Sequence, residues 1–442
     1  MTGLRTDLYE IRMAVSYLRR GMTSPATFSL FVRDLPPNRG FLVAAGLEDC
    51  LTFLEELSFT EDELDFLRSE TGLGQSDVEL LGGLRFTGDV LAVPEGRVVF
   101  AGEPLLEVTA PIAQAQLVET ALLNFVTFQT SIASKAARCR IAARGAEVVD
   151  FSARRTHGIE ASMAAARCSA ITGFSATSNV AAARRYGLHL TGTMAHSYIE
   201  AFADEAVAFR AFVEDFPEAT VFLVDTYDTV AGVRTAIDVA RRLDLHDLIG
   251  IRVDSGDLGP LTRQARRLLD EAGLTNARIV ASGGLDEYRI ANLVHSGAPV
   301  DAYGVGTKMG VSADAPFLDS AYKLVDYAGR PVMKLSSGKS TVPGAKQVFR
   351  GQPELGDLLA LRDETPPPMH EPLLRPVMRH GRRIADTTRV ADARARFEQD
   401  LAWLPPHARQ LSDPRPAYVR RSFRLTELGG QVSRVLTAAH GR

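Results

Sequence analysis

The chain has 442 residues, 45% of them hydrophobic and 24% charged, with a formal net charge of −4 at pH 7. That length accommodates one large domain and a second, at ~100–200 residues each. The charge excludes a global attraction to nucleic acid or to an anionic membrane, so any basic site must be local. Three cysteines, Cys50, Cys139 and Cys168, lack CxxC or Cys/His ligand spacing, which argues against a disulfide framework or structural zinc. Asp7 and Glu10 fall where a signal peptide needs an apolar stretch, and no run approaches the ~18 apolar residues of a membrane span. A cytoplasmic location without membrane or nucleic-acid partners is the default expectation.

Along the chain, residues 84–110 alternate short strands with Gly/Pro turns, the pattern of an antiparallel β unit. Residues 114–143 read as one long, mostly apolar helix leading into a strand at 148–151. Four β-branched runs follow, at 221–225, 248–256, 277–284 and 300–306, each ending in Asp, Ser or Gly. Continuous apolar runs of this length suit strands buried on both faces, as in parallel sheets. Helical stripes separate them: Val230, Val233, Ile237, Ala240 and Leu243, then Leu258, Leu261, Ala265, Leu268 and Ala272, then Ile290, Leu293 and Val294. Asp257 and Asp286 are placed to cap the second and third helices, and Gly273 and Gly297 to end them. Repeated β-α units predict a parallel α/β architecture, and polar residues at successive strand ends favour a β/α barrel over an open sheet. No GxGxxG opening a helix and no GxxxxGK[ST] supports a Rossmann or P-loop fold. The predicted layout is an N-terminal α/β domain (1–120), a barrel (121–320), and a C-terminal segment (321–442) that completes the first domain. Within that segment, Pro-rich 366–376 and basic 377–383 are expected to form an exposed loop or arm.

The chemistry concentrates at the strand ends. Ser255-Gly256-Asp257, Ser282-Gly283-Gly284 and Gly304-Val305-Gly306-Thr307 lie where strand turns into helix. Backbone N–H groups there can hold phosphate oxygens. Asp225 and Asp254 close buried strands, with Asp228 just beyond; helix capping competes with ribose or cation binding as the explanation. Arg252 sits inside a buried run and needs an anionic partner, either an internal aspartate or a ligand. Arg154 and Arg155 follow the strand at 148–151 directly. His196, taken alone beside apolar residues, reads as a core histidine.

Longer motifs then converge. TDLYE (6–10), FVRDLP (31–36), GFLVAAGLED (40–49), NFVTFQTSIASKAAR (124–138), DFSARRTHG (150–158), GFSATSNV (173–180), GTMAHSYI (192–199), RVDSGDL (252–258), GVGTKM (304–309) and KLSSGKSTVPGAKQVFR (334–350) occur in that order. Together they resemble the nicotinate phosphoribosyltransferase family over roughly residues 5–350, and the last ~90 residues add little to the likeness.

The resemblance implies an irregular β/α barrel of type II phosphoribosyltransferase kind with a second, sandwich-type α/β domain. It also implies transfer of phosphoribosyl from phosphoribosyl pyrophosphate to nicotinate in NAD salvage, coupled to ATP hydrolysis, with magnesium and a homodimer sharing its active sites. It implies His196 as the residue phosphorylated by ATP, reversing the core reading. Asp225 and Asp254 would face the ribose, and Tyr9 and Phe151 would sandwich the pyridine ring, Tyr9 from the partner subunit. Arg154 and Arg252 match base- and phosphate-site arginines. Gly283, Gly284, Gly304 and Gly306, with Thr307 in the same loop, would hold the 5′-phosphate, and Arg33, Lys334, Lys339 and Lys346 would add charge at the phosphate sites. Nicotinamide-using relatives place Asp where this chain has Ser178, which favours nicotinate here. Ser152 and Ala176 depart from the family's usual glycines, so the added Cβ is expected either to tighten the ring pocket or to require a slightly different backbone there. A nicotinamide- or quinolinate-using phosphoribosyltransferase remains an alternative reading, as does a catalytically silent barrel. The silent barrel would be expected to lack His196, Asp254 or the glycine loops.

Overall fold

The β-branched runs fold as six parallel strands: β1 (Glu147–Asp150), β2 (Ala176–Thr177), β3 (Val221–Leu223), β4 (Gly250–Val253), β5 (Arg278–Ala281) and β6 (Ala302–Val305). This computed structural model describes residues 3–245, 250–336, 341–384 and 386–440. The strand order is β2-β1-β6-β5-β4-β3, every neighbour parallel. The sheet is a curled half-barrel: among the described residues no ladder joins its edges β2 and β3. Val148, Val149, Ile251, Val253, Ile279 and Val305 are all buried, as strands covered on both faces require.

Helices return the chain between strands, as their apolar stripes predict. Thr229–Arg242 buries Val233, Ile237 and Ala240, and its N-cap Asp228 accepts from the Ala231 N–H at 2.8 Å. Capping therefore accounts for Asp228. Asp286 caps Glu287–His295 in the same way, through Arg289 N–H at 2.9 Å. Asp257 stands at the N-cap of Leu258–Glu271 but its side chain makes no capping bond.

These strands belong to one compact unit, Ile132–Pro316; the other comprises Met1–Ser131 and Phe317–Arg442. The helix expected at 114–143 is two, Ile112–Leu117 and Glu119–Ala142, and the unit boundary falls within the second. The second unit carries an antiparallel seven-stranded sheet whose central strands are Ser320–Tyr327, Pro25–Val32, Pro104–Pro111 and Asp89–Ala92. Phe28 and Tyr322 stack across two of these strands with ring centroids 4.8 Å apart.

Of the expected Pro-rich loop, residues 366–370 form a mostly exposed turn, and the rest joins this unit's sheets instead of an arm. Glu371–Pro372 pairs with Lys346–Arg350, and Arg375–Arg379 pairs with Asp89–Ala92. Pro376, which has no N–H for the ladder, sits where the register shifts, a position strands tolerate. Two arginines of the basic run are held in ion pairs: Arg379 meets Asp89 at 2.7 Å, and Arg383 meets Glu48 and Glu55, each at 2.7 Å. Among the described residues no helix is long and apolar enough to cross a membrane.

Candidate active site

The C-terminal ends of the parallel strands surround a cavity of about 460 Å³. Phe151 and Arg154 reach it from the end of β1, and Ser178 from the end of β2. Arg252 and Asp254 come from β4, Gly283 and Gly284 follow β5, and Gly304, Gly306 and Thr307 come from β6 and its turn. Ten residues expected at the site, from five strand ends, are thus assembled by the pairing of distant strands.

Each wall has a local cause. Asp150, fully buried, accepts from the Ser152 N–H at 2.9 Å and the Thr177 hydroxyl at 2.7 Å, while the Ser178 N–H donates to its carbonyl at 2.9 Å. One carboxylate therefore ties the Phe151–Arg154 turn to the Ser178 turn. Burial pushes the Asp150 carboxyl above its ordinary value, and the Ser152 and Thr177 bonds oppose that shift. Ser152 is buried against Gly310, whose missing side chain leaves it room: a Cβ on Gly310 would lie 2.5 Å from the Ser152 Cβ. Ala176, the other departure from glycine, lies on β2 itself.

Phe151 packs on the backbone of Gly304. A Cβ there would sit 2.6 Å from the Phe151 Cδ2 and Cε2 atoms, closer than packed atoms approach. Gly304→Ala is accordingly expected to push the ring out of place, costing about 1–3 kcal/mol of stability and raising the KM for the ring-bearing substrate about tenfold. Steady-state kinetics with that substrate varied would show it, and an unchanged KM would remove Phe151 from the ring site.

The electrostatics are set by Arg252 and two aspartates. Arg252 is 12% exposed and its Nε is buried without a hydrogen-bond partner. Its Nη1 donates to the Thr193 hydroxyl, and Nη2 lies 3.8 Å from Asp254 Oδ1. The guanidinium stands 5.9 Å from the Phe151 ring centroid, within cation–π range. Burial draws the Arg252 pKa below its ordinary value, against the pull of Asp254 and Asp225. A cation so desolvated and so loosely paired calls for an anion in the cavity. Asp254 Oδ1 accepts from Ser282 Oγ at 2.5 Å. Asp225 stands one step behind: its Oδ2 accepts from the Asp254 N–H at 3.0 Å and the Ser255 hydroxyl at 2.6 Å. It holds the Asp254 turn and does not line the cavity.

His196 begins the helix His196–Glu200, directly after Ala195, which lines the cavity. Its Nδ1 lies 3.2 Å from the Thr226 hydroxyl. Sequence reasoning overlooked Thr193 and gave Ser282 only as part of a glycine turn; their hydroxyls orient Arg252 and Asp254. Only their places inside GTMAH and SGG hinted at them.

The remaining expected residues belong to the other unit. Tyr9, on helix Leu8–Arg19, is 48% exposed. Burial of its hydroxyl, and then Glu119 and Glu10, push its pKa up. Arg33 pairs with Asp319, and the Lys334 N–H donates to the Thr341 hydroxyl at 3.0 Å. Lys346 is a correction. It is 3% exposed, and its ammonium donates to the carbonyls of Gly344 at 2.8 Å and Val342 at 3.2 Å, with Glu107 at 3.5 Å. Burial lowers its pKa although Glu107 opposes this. Lys346 is a core cation within its unit and not a phosphate ligand. Lys339 lies outside the described residues.

Fold and cavity together define a parallel β/α half-barrel built to receive an anionic, phosphorylated ligand at its strand ends. Comparison with known proteins makes this specific. The N-terminal domain of nicotinate phosphoribosyltransferases matches residues 4–127, the family's central region 146–352, and its C-terminal domain 367–429. The chain belongs to the nicotinate phosphoribosyltransferase family. A nicotinate phosphoribosyltransferase of Mycobacterium tuberculosis is 49% identical over 424 residues, covering 94% of this chain and 90% of the relative. One from Bacillus subtilis is 45% identical, covering 82% and 76%. The crystal structure of human nicotinic acid phosphoribosyltransferase superposes with a TM-score of 0.85 at 29% identity, covering 97% of this chain and 99% of that one. The match at 367–429 also shows that the C-terminal segment carries family character that its sequence did not reveal to inspection.

Proposed function

We propose that this chain transfers the phosphoribosyl group of phosphoribosyl pyrophosphate to nicotinate, releasing nicotinate mononucleotide and pyrophosphate in NAD salvage. The observation that carries this reading is a single cavity holding an aromatic ring, three arginines, an aspartate and two glycine turns. Those groups match a planar acid, a ribose and a phosphate. The pyridine nitrogen forms its bond to C1′ as the C1′–O bond breaks, and the electron pair leaves with pyrophosphate. That nitrogen carries no proton, so no general base is needed. Asp254 faces the positive charge that develops on the ribose, and Arg154 and Arg252 meet the anions.

Magnesium fits as a companion of the substrate. Among the described residues no three His, Cys, Asp or Glu side chains form a metal cage, and Mg²⁺ commonly binds through one or two carboxylates plus phosphate oxygens. Asp225 Oδ1 is a buried carboxylate oxygen with no hydrogen-bond partner. Asp254, with Asp225 behind it, would hold the ion, which when bound neutralises charge on the leaving pyrophosphate.

Ser178 favours nicotinate over nicotinamide, because a hydroxyl can donate to a carboxylate. A nicotinate-nucleotide pyrophosphorylase of Pyrococcus furiosus shares the fold with a TM-score of 0.76 at 26% identity, whereas the bacterial nicotinate phosphoribosyltransferases reach 49% and 45%. The test is mononucleotide formation from nicotinate, nicotinamide and quinolinate at equal concentration. Preferred use of either alternative overturns the assignment.

ATP enters through His196. With Nδ1 directed at Thr226, Nε2 is the nitrogen left to accept a phosphoryl group. His196→Ala is expected to abolish stimulation of the transfer by ATP while some ATP-independent transfer persists. Product formation and ADP release, followed with and without ATP, measure this; undiminished coupling removes His196 from the role. The half-exposed Tyr9 ring supports a homodimer in which each copy completes the ring site of the other.

A further inference from the structure

The two glycine turns are joined by charges that no part of the reaction has yet used. Asp286 follows the Gly283-Gly284 turn and Lys308 follows Gly306-Thr307; their side chains meet, Nζ to Oδ2, at 2.5 Å. Behind them lies a second set of charges. Lys135, 2% exposed, bridges Glu287 after the first turn at 2.5 Å and Asp314 after the second at 2.8 Å. Arg138 holds the other oxygen of Glu287 at 2.9 Å. Arg289 closes the first turn by donating to the Gly283 carbonyl at 3.1 Å. Lys135 and Lys308 thus each connect the segment after β5 to the segment after β6, one in the interior and one directly after Thr307 of the cavity wall.

We propose that the Lys308–Asp286 ion pair, backed by the buried Lys135–Glu287–Asp314 network, sets the spacing of the two glycine turns so that together they fit one phosphate. Lys308 and Asp286 are positioning residues for phosphoribosyl pyrophosphate; this rests on reading the cavity as a phosphoribosyl site. Backbone donors cannot adjust their reach as side chains do, so a small change in the gap between the turns acts on phosphate affinity directly.

The test uses the full chain. Asp286→Asn keeps the helix cap, since an amide oxygen can still accept from Arg289, but removes the charge facing Lys308. Lys308→Met removes the other partner, and Lys308→Arg preserves it. Ribose 5-phosphate binding is measured by calorimetry, and KM for each substrate by steady-state kinetics. Asp286→Asn and Lys308→Met are each expected to weaken ribose 5-phosphate binding and raise the KM for phosphoribosyl pyrophosphate about tenfold. The nicotinate KM should stay within about twofold, the double variant should be no worse than either single one, and Lys308→Arg should recover most of the loss. Tighter or unchanged binding in Asp286→Asn would overturn the proposal, tighter binding meaning that Asp286 competes with phosphate for Lys308. An equal rise in both KM values would overturn it too. The binding series decides the clamp independently of turnover, whereas a wild-type chain that forms no nicotinate mononucleotide would overturn the functional reading itself.

Discussion

Gly283→Ala is expected to abolish efficient use of phosphoribosyl pyrophosphate and to lower the melting midpoint by roughly 4–20 °C, at ~2–4 °C per kcal/mol for a unit of this size. The residue has a φ of +91°, and a Cβ there would lie 1.6 Å from the carbonyl oxygen of Asp254. Neither atom can yield cheaply, because the obstacle is backbone. A left-handed alanine costs about 1–2 kcal/mol, and relieving the overlap adds about 1–3 kcal/mol. The turn would have to move away from Asp254, disturbing the phosphate cradle and the carboxylate beside the ribose at once. Gly273→Ala is the control. Its φ is +83° but nothing lies within 4 Å of the added atom, so only the conformational cost remains and kinetics should not change. Thermal melts with substrate kinetics separate the two, and a Gly283 variant behaving like the Gly273 variant would refute the close approach as the cause.

Ser178→Asp is expected to cut kcat/KM for nicotinate by about a thousandfold while sparing nicotinamide. Two like charges ~4 Å apart repel by about 4 kcal/mol at an effective dielectric of ~20, which is close to three decades at ~1.4 kcal/mol each. Ser178 lines the cavity and its N–H is held by the Asp150 carbonyl at 2.9 Å, so the new carboxylate would be presented to the ring site with little freedom to turn away. Ser178→Asn, of similar shape but neutral, should lose far less. Competition between the two bases under limiting phosphoribosyl pyrophosphate gives the ratio directly. If the Asp and Asn variants fall equally, size and not charge governs the position.

The order of β-branched runs and the Asp, Ser and Gly residues that end them determined, from sequence alone, that parallel strands carry a site at their C-terminal ends. Those signals are local: a strand buried on both faces must be apolar throughout, and a turn at a phosphate must be glycine. The family likeness was legible partly for the same reason, since motifs such as DFSARRTHG, RVDSGDL and GVGTKM stand at the strand ends. What only the tertiary structure decided depends on residues far apart in the chain. Pairing β1 with β6 sets Phe151 on Gly304, and pairing β4 with β5 sets Asp254 beside Ser282. The same holds where the sequence pointed elsewhere. Lys346 looked like a free cation until Glu107 and two carbonyls enclosed it, and the basic run at 377–383 looked like an arm until Asp89, Glu48 and Glu55 met it. A charge near a site and a charge in a core have the same letters; which one it becomes is set by what folds against it, and that is a property of long-range pairing.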